Sequence, residues 1–193
     1  MTLRDYYNEA EESAFITQTG AYWYAQTFTA TSAYNTDLCK IRGQRVGTPD
    51  TLTVGLRATE DGVPVGADLA VATTDGNAVT TDAAGEWITL TWESVYPLEV
   101  GTVYALVMRV ASGDSDNRIT WILGTTTEFE DPYAGGQFCR STDSGSSWSA
   151  YGPSTQDGLF EVWGTDIVVD LTDIATVRRL CAASNNQFWY EDI

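Results

Sequence analysis

The sequence has no histidine and a single lysine, Lys40, among ten basic residues set against 27 acidic ones. Without histidine the most common general base is missing, and the Ser-His-Asp and Cys-His arrangements of nucleophilic catalysis are both excluded. A zinc site loses its usual nitrogen ligand, and Cys39, Cys139 and Cys181 show no Cys-x-x-Cys or other metal spacing. They read as buried thiols, with a Cys39–Cys139 bridge open to them if their strands are neighbours. The net charge of −17 leaves too few clustered Lys and Arg for phosphate neutralisation, the one adjacent basic pair being Arg178-Arg179. Nucleic acid is therefore not an expected partner, and an anionic membrane surface would repel the chain. No stretch approaches the roughly 20 apolar residues of a membrane helix. The opening MTLRDYYNEAEESAF also lacks the basic-then-apolar order of a secretory signal, so synthesis in the cytoplasm without ordinary export is expected.

Carboxylates are what the chain has in excess. Groupings among Glu128, Glu130, Asp131, Asp143, Asp157 and Glu161 could in arithmetic serve glycoside hydrolysis, but 27 acidic residues produce such groupings by chance. Asp114-Ser115-Asp116-Asn117 could hold a calcium ion, yet the register of a dedicated calcium loop is absent and a polar turn is expected. The reading is of a protein that is not an enzyme and holds neither metal nor cofactor.

Hydrophobic residues at 43% and aromatics at 12% place the chain among folded proteins, and 193 residues suffice for one core with extensions. From Ala21 to Gly164 short β-rich runs alternate with Gly, Asp, Asn, Pro and Ser clusters, the pattern of an all-β sandwich. Nine strands are predicted: Trp23–Thr29, Asp37–Arg45, Thr51–Ala58, Leu69–Thr74, Trp87–Trp92, Thr102–Val110, Arg118–Leu123, Gln137–Ser141 and Leu159–Trp163. In several of them alternate residues are apolar, as in Leu52, Val54 and Leu56, the mark of a half-buried strand. Turn residues such as Glu60-Asp61-Gly62 and Tyr133-Ala134-Gly135-Gly136 fall between them. The fold class expected is an antiparallel two-sheet jelly-roll sandwich over residues 21–165, between an N-terminal arm (1–20) and a C-terminal helix and tail (166–193). The arm carries Tyr6, Tyr7 and Phe15 as anchors. The helix takes Asp170 as N-cap and sets Leu171, Ile174, Val177 and Cys181 on one face, and Phe188-Trp189-Tyr190 follow in the tail.

One local motif stands out. Ser141-Thr142-Asp143-Ser144-Gly145-Ser146-Ser147-Trp148 fits the S-x-D-x-G-x-x-W pattern of the Asp-box, in which Asp and Ser satisfy turn backbone, Gly takes positive φ and Trp packs on the hairpin. It resembles the hairpins of sialidase propeller blades, but a propeller repeats the motif and here Ser141, Asp143, Gly145 and Trp148 supply it once.

A longer resemblance covers Ala25 to Gly164. It runs through Ala25-Gln26-Thr27-Phe28-Thr29-Ala30, then Thr51-Leu52-Thr53-Val54 with Asp61-Gly62-Val63-Pro64-Val65-Gly66, then Glu86-Trp87-Ile88-Thr89-Leu90. Pro97 to Val107 and Pro132-Tyr133-Ala134-Gly135-Gly136 follow, leading into the Asp-box. In this order the chain resembles a jelly-roll module of phage and archaeal-virus virion proteins and of some bacterial surface proteins. The resemblance implies a virion structural role, as capsid decoration, head-fibre or tail component, with other virion subunits as partners in a homo-oligomer or lattice. The same module is similar to carbohydrate-binding domains of extracellular enzymes, which leaves glycan binding or adhesion as the alternative. For assembly the candidate contacts are Tyr6, Tyr7, Phe15, Phe188, Trp189 and Tyr190; for sugar stacking they are Trp121, Tyr133, Trp148 and Tyr151, which sit in or beside Gly- and Ser-rich loops.

Overall fold

The computed structural model describes residues 1–8, 12–125, 133–151 and 156–168, with backbone alone at 12–15, 17, 18 and 125. Strands fall into two antiparallel sheets packed as a sandwich. Sheet 1 holds β1 (Thr2–Tyr7), β2 (Glu12–Gln18), β4 (Tyr34–Val46), β7 (Glu86–Leu98), β9 (Arg118–Thr125), β12 (Gln156–Gly158) and β13 (Phe160–Asp166). Sheet 2 holds β3 (Trp23–Thr29), β5 (Thr51–Glu60), β6 (Val63–Asp75), β8 (Val103–Arg109), β10 (Phe138–Ser141) and β11 (Ser149–Ala150), in the order β11-β10-β3-β8-β5-β6. Among the described residues the helical content is one 3-10 turn, Gly76–Ala78.

All nine predicted runs are strands. Their alternation explains the core, because a strand points successive side chains to opposite faces. Leu52, Val54 and Leu56 of β5 interleave with Leu106 and Met108 of β8, and across the sandwich Cys39 and Ile41 of β4 meet Leu90 of β7 and Phe160 of β13, all fully buried.

The expected arm over residues 1–20 is corrected: it contains two strands of sheet 1. β1 pairs with β13 from Thr2↔Gly164 to Tyr7↔Phe160, and β2 pairs with β9. What holds β1 is a charge turned inward. Asp5 is 2% exposed and accepts the Thr31 N–H at 3.0 Å, the Thr31 hydroxyl at 2.7 Å and the Tyr34 hydroxyl at 2.8 Å. A bulge between Leu3 and Asp5 sets that orientation. The predicted C-terminal helix with its Asp170 cap, and Phe188, Trp189 and Tyr190, lie outside the described residues.

The two sheets are also joined by polar groups. Gln26 of β3 donates to Asp157 at 2.8 Å and accepts the Gly158 N–H at 2.8 Å, which ties sheet 2 to β12. Beside this link β4 and β9 part, and Leu159 fills the wedge: its N–H donates to the Ile122 carbonyl at 3.0 Å and its carbonyl accepts from Arg42 at 3.2 Å. Trp121 seals the same place, its indole N–H donating to the Leu159 carbonyl at 2.9 Å and its ring meeting Phe138 edge to face. Gly158 must lack a side chain here, since a Cβ would lie 2.8 Å from the Trp121 ring.

Candidate functional site

The outer faces of the two sheets differ, and the difference locates the site. On sheet 2 the outward residues Ala25, Ala105, Val107 and Cys139 form a second small core, with Trp23, Val63 and Trp148 packed on it. Two hairpins of the chain itself supply the cover. The β5–β6 hairpin turns at Asp61 (φ 51) and Gly62 (φ 78), the two positive φ values of a type I′ turn. Its tip reaches back over the sheet, so that the Gly62 carbonyl accepts from the Gln137 side chain at 2.7 Å. From the other side comes the Asp-box. Ser141 donates to Asp143 at 2.7 Å and accepts the Gly145 N–H at 2.8 Å; Ser147 donates to the Asp143 carboxylate from its N–H at 2.9 Å and its hydroxyl at 2.6 Å. Gly145 (φ 82) presses on Trp23 so closely that a Cβ would stand 2.7 Å from the ring.

The hydroxyl and N–H of Ser147, with the Ser141 hydroxyl, stabilise the ionised Asp143 and bring its pKa down to about 2. A carboxylate with a folded-state pKa below its unfolded value of about 3.9 adds stability above the unfolded value and loses that contribution as pH falls through the folded one. Asp143→Asn is therefore expected to lower the melting temperature at neutral pH. The gap to the unmodified protein should close between about pH 4 and pH 2, read by thermal melts at a series of pH values.

A charged cluster braces the same face. Asp68 lies over Gly55 and accepts from Arg57 at 2.7 Å and from Arg109 at 2.5 Å, while both guanidinium groups stand over the Trp23 ring, 5.6 and 5.1 Å from its centroid. Burial pushes the Asp68 carboxyl up, but the two arginines outweigh it and hold the group below the usual range. Sheet 2 is thus closed by its own chain.

Sheet 1 has an outer face of another kind. Cross-strand partners share a face, so the register lines up Leu3, Trp163, Leu38 and Thr91 in one row and Tyr6, Glu161, Lys40 and Thr89 in the next, with Arg42 beside Trp87. Their neighbours along the strands, Cys39, Ile41, Leu90, Phe160 and Val162, are the ones in the core. Leu3, Leu38, Trp87 and Trp163 are half-buried and Tyr6 is 49% exposed. A fixed charge pair stands among them. Lys40 lies 3.1 Å from Glu161 and 4.6 Å from the centroid of the Trp163 ring, whose indole N–H donates to Glu161 at 2.7 Å; Asn8 donates to the other carboxylate oxygen at 2.9 Å. Burial raises the pKa of Glu161, and the Asn8 amide, the Trp163 indole and Lys40 together bring it below the usual range. The result is an aromatic and aliphatic surface around one oriented ion pair, and sequence reasoning selected only Tyr6 of it as a contact and Glu161 as one of several carboxylates. Trp163, Trp87 and Leu38 were read as ordinary strand positions, since alternation does not say which of two faces stays open.

The predicted sugar-stacking residues do not form one platform. Trp121 is fully buried between the sheets and cannot meet a ligand, which corrects that assignment. Trp148 is half-buried on the far side of sheet 2. Tyr133 is half-buried and meets the Phe160 ring edge to face at 5.2 Å and Tyr7 at 6.0 Å, and burial raises its pKa. Tyr151 is half-buried against Tyr24 and Phe138 with the Arg140 guanidinium over its ring at 4.8 Å. Among the predicted assembly contacts, Tyr7 packs on the core and the Phe15 side chain lies outside the described residues.

A shallow cleft of about 320 Å³ opens between the β5–β6 tip and the loop before β10, lined by Thr27, Thr29, Asp61, Gly62, Val103 and residues 134–137. None of the proposed stacking rings lines it. The carboxylates considered for catalysis have separate duties: Asp143 closes the Asp-box, Asp157 holds Gln26 and Glu161 holds Lys40, while Glu128, Glu130 and Asp131 lie outside the described residues. Asp114 accepts the N–H groups of Asp116 and Asn117, each at 2.8 Å, and so closes its own turn. No group of three or more potential metal ligands occurs among the described residues. Cys39 and Cys139 are buried free thiols, as expected, and the bridge left open to them does not form: Cys39 faces the core from sheet 1 and Cys139 lies on the outside of sheet 2. Burial raises both, Cys139 to about 12.

No protein-family model and no curated protein sequence matches this chain.

Proposed function

We propose that this protein is a non-enzymatic virion structural protein, a capsid decoration, head-fibre or tail component built on a jelly-roll sandwich and assembled with other virion subunits. One observation carries the reading: two hairpins of the chain close the outer face of sheet 2, whereas among the described residues that of sheet 1 presents the exposed Tyr6 and the half-buried Leu3, Trp163, Leu38 and Trp87 around the Lys40–Glu161 pair. Contiguous apolar surface rimmed by polar groups is the usual character of a protein contact. A glycan-binding role has the cleft beside Asp61 and Thr29 in its favour, but among the described residues no aromatic ring lines that cleft to stack on a sugar.

The test is protein mass spectrometry of purified particles from the source that encodes this chain. The protein is expected in them in many copies, and Tyr6→Asp, on the open face and well exposed, is expected to lower its incorporation at least about tenfold if the contact loses about 1.4 kcal/mol. Particles that lack the protein, together with binding of the isolated protein to a glycan array, would replace this reading with the carbohydrate-binding one.

A further inference from the structure

Sheet 2 ends on β6, and one stretch of that edge is bare. Ala70 to Asp75 pair with Leu56 to Thr51 of β5 and, among the described residues, with no strand on the other side. Which backbone groups face that side follows from the register. The Gly76 N–H donates to the Asp50 carbonyl at 2.6 Å, one step beyond the Thr51↔Asp75 pair. Hydrogen-bonded pairs alternate along an antiparallel ladder, so residues 74, 72 and 70 also turn their backbone to β5, and 71 and 73 turn theirs outward. The other side of the sheet gives the same phase. The Ala30 N–H donates to the Thr102 carbonyl at 3.0 Å, which sets the backbone of Tyr104 and Leu106 toward β3 and that of Ala105 and Val107 toward β5. Gly55 and Arg57 then face β8, and Val54 and Leu56 face Ala72 and Ala70. Among the described residues the N–H and C=O groups of Val71 and Thr73 have no protein partner.

Such a row is a template for another strand, and edges are commonly blunted by charge, proline or a bulge. β7, the edge strand packed beside β6 in the other sheet, has all three: Glu86 and Glu93, Pro97, and extra residues between Thr91 and Tyr96 where the register shifts. β1 has Arg4, Asp5 and a bulge. In β6 the bulge and Asp68 come before Ala70, and Ala70-Val71-Ala72-Thr73-Thr74 holds no charge, glycine or proline.

We infer that this edge pairs with the same edge of a second copy, antiparallel about a two-fold axis at Ala72, so that two six-stranded sheets become one. The edge is its own complement. Val71 stands opposite Thr73 of the second copy and exchanges two hydrogen bonds with it, and Thr73 does the same with Val71 of the second copy. All four unpaired groups of each chain are then satisfied, and the symmetry makes every contact twice. The new cross-strand pairs join β-branched side chains, which pack well on a sheet. Charge permits this register. Asp75, the acidic residue that follows the stretch, falls opposite Leu69 of the second copy. The two Asp75 carboxylates are separated by six residues at about 3.4 Å each, about 20 Å, well beyond the Debye length of about 8 Å at physiological salt. A second copy is the fitting partner because it supplies a strand of equal length, matching backbone phase and no charge. The net charge of −17 on each chain opposes the approach, so the contact strengthens with added salt, the reverse of one held by ion pairs. It is independent of the contact proposed for sheet 1, since β6 belongs to the other sheet.

The experiment is sedimentation velocity on the full chain at rising protein concentration, in low and in high salt. Association to twice the mass of one chain is expected, tighter in high salt. Thr73→Pro removes the outward N–H and no bond of the β5–β6 ladder. It is expected to raise the dissociation constant at least about tenfold and to leave thermal melting unchanged. Thr73→Glu and Val71→Lys test the register. Each alone places like charges on diagonal positions about 7–8 Å apart and is expected to weaken the dimer; mixed in equal amounts they set the new carboxylate opposite the new ammonium and are expected to restore it. If Thr73→Pro melts lower than the parent, this charged pair decides. A parent chain that stays monomeric up to about 1 mM, a dimer that folded Thr73→Pro holds as tightly as before, or a mixture no tighter than its components overturns the inference.

Discussion

Trp121→Ala is expected to cost about 3–5 kcal/mol of folding stability, the range for removal of a large aromatic side chain from a packed core. Trp121 is fully buried, its ring meets Phe138 at 5.5 Å, Gly158 is pressed against it, and its N–H satisfies the Leu159 carbonyl in the wedge between β4 and β9. Truncation leaves a cavity at the junction of the sheets and a buried carbonyl that loses one of its partners. Trp121→Phe retains much of the ring and loses the hydrogen bond, so it should fall between the two. Urea unfolding followed by far-ultraviolet circular dichroism measures the difference as a shift in midpoint at unchanged slope. A residue whose work was to stack on sugar would show the opposite pattern, with stability unchanged and binding lost. A Trp121→Ala protein as stable as the parent would contradict the packing described.

Asp5→Ala should cost about 2–5 kcal/mol, because hydrogen bonds to a charged acceptor contribute about 1.5–3 kcal/mol each and three donors, the buried Tyr34 hydroxyl among them, lose theirs together. The Tyr34 hydroxyl is the most affected, since Tyr34 is fully buried and its O–H points at Asp5. Burial pushes that phenol well above the ordinary tyrosine range, with the Asp5 charge adding to it, so ionisation offers no way to satisfy the group. The loss should be local before it is global. Amide hydrogen exchange at Leu3–Tyr7 is expected to accelerate in the variant more than exchange in β5 or β8, which lie in the other sheet. Uniform acceleration across both sheets would show instead that β1 unfolds only with the whole domain. Asp5→Asn keeps the shape and one acceptor, and so should lose less.

These two residues also show why a sequence can be read correctly along its strands and wrongly at particular positions. Asp5 sits in a run, Thr2-Leu3-Arg4-Asp5-Tyr6-Tyr7, with no apolar alternation, partly because a bulge interrupts the register and partly because the inward residue is a carboxylate. Its partners are 26 and 29 residues away, and nothing local announces them. Trp121 lies next to a Gly-rich loop, the usual place for an exposed binding aromatic, yet it belongs to the inward phase of β9 with Ile119 and Leu123. β12 and β11, three and two residues long, are too short for any periodicity to register.

The Asp-box was legible because the bonds that close its turn around Ser141 and Asp143 lie within eight residues. Likewise Asp61-Gly62 announces the type I′ hairpin, since few other pairs tolerate two positive φ values. Trp163 and Lys40 are 123 residues apart in sequence and meet through the β13–β4 register, so no window of sequence contains them both.

By itself the sequence determined the class of fold and its punctuation. Alternation along several of the nine runs indicates strands with at least one buried face, and Gly, Asp and Asn clusters indicate turns between them, because both follow from local backbone geometry. It also determined, through the absence of histidine, which catalytic devices this chain cannot build. Tertiary structure alone decided the rest. It turned Asp5 inward, placed Trp121 between the sheets, folded two hairpins over sheet 2 and, among the described residues, left the outer face of sheet 1 without such a cover. The physical reason is common to all four: which outer face stays bare, and which polar group finds buried partners, depends on contacts between residues far apart in the chain, and those exist only once strand register has been set.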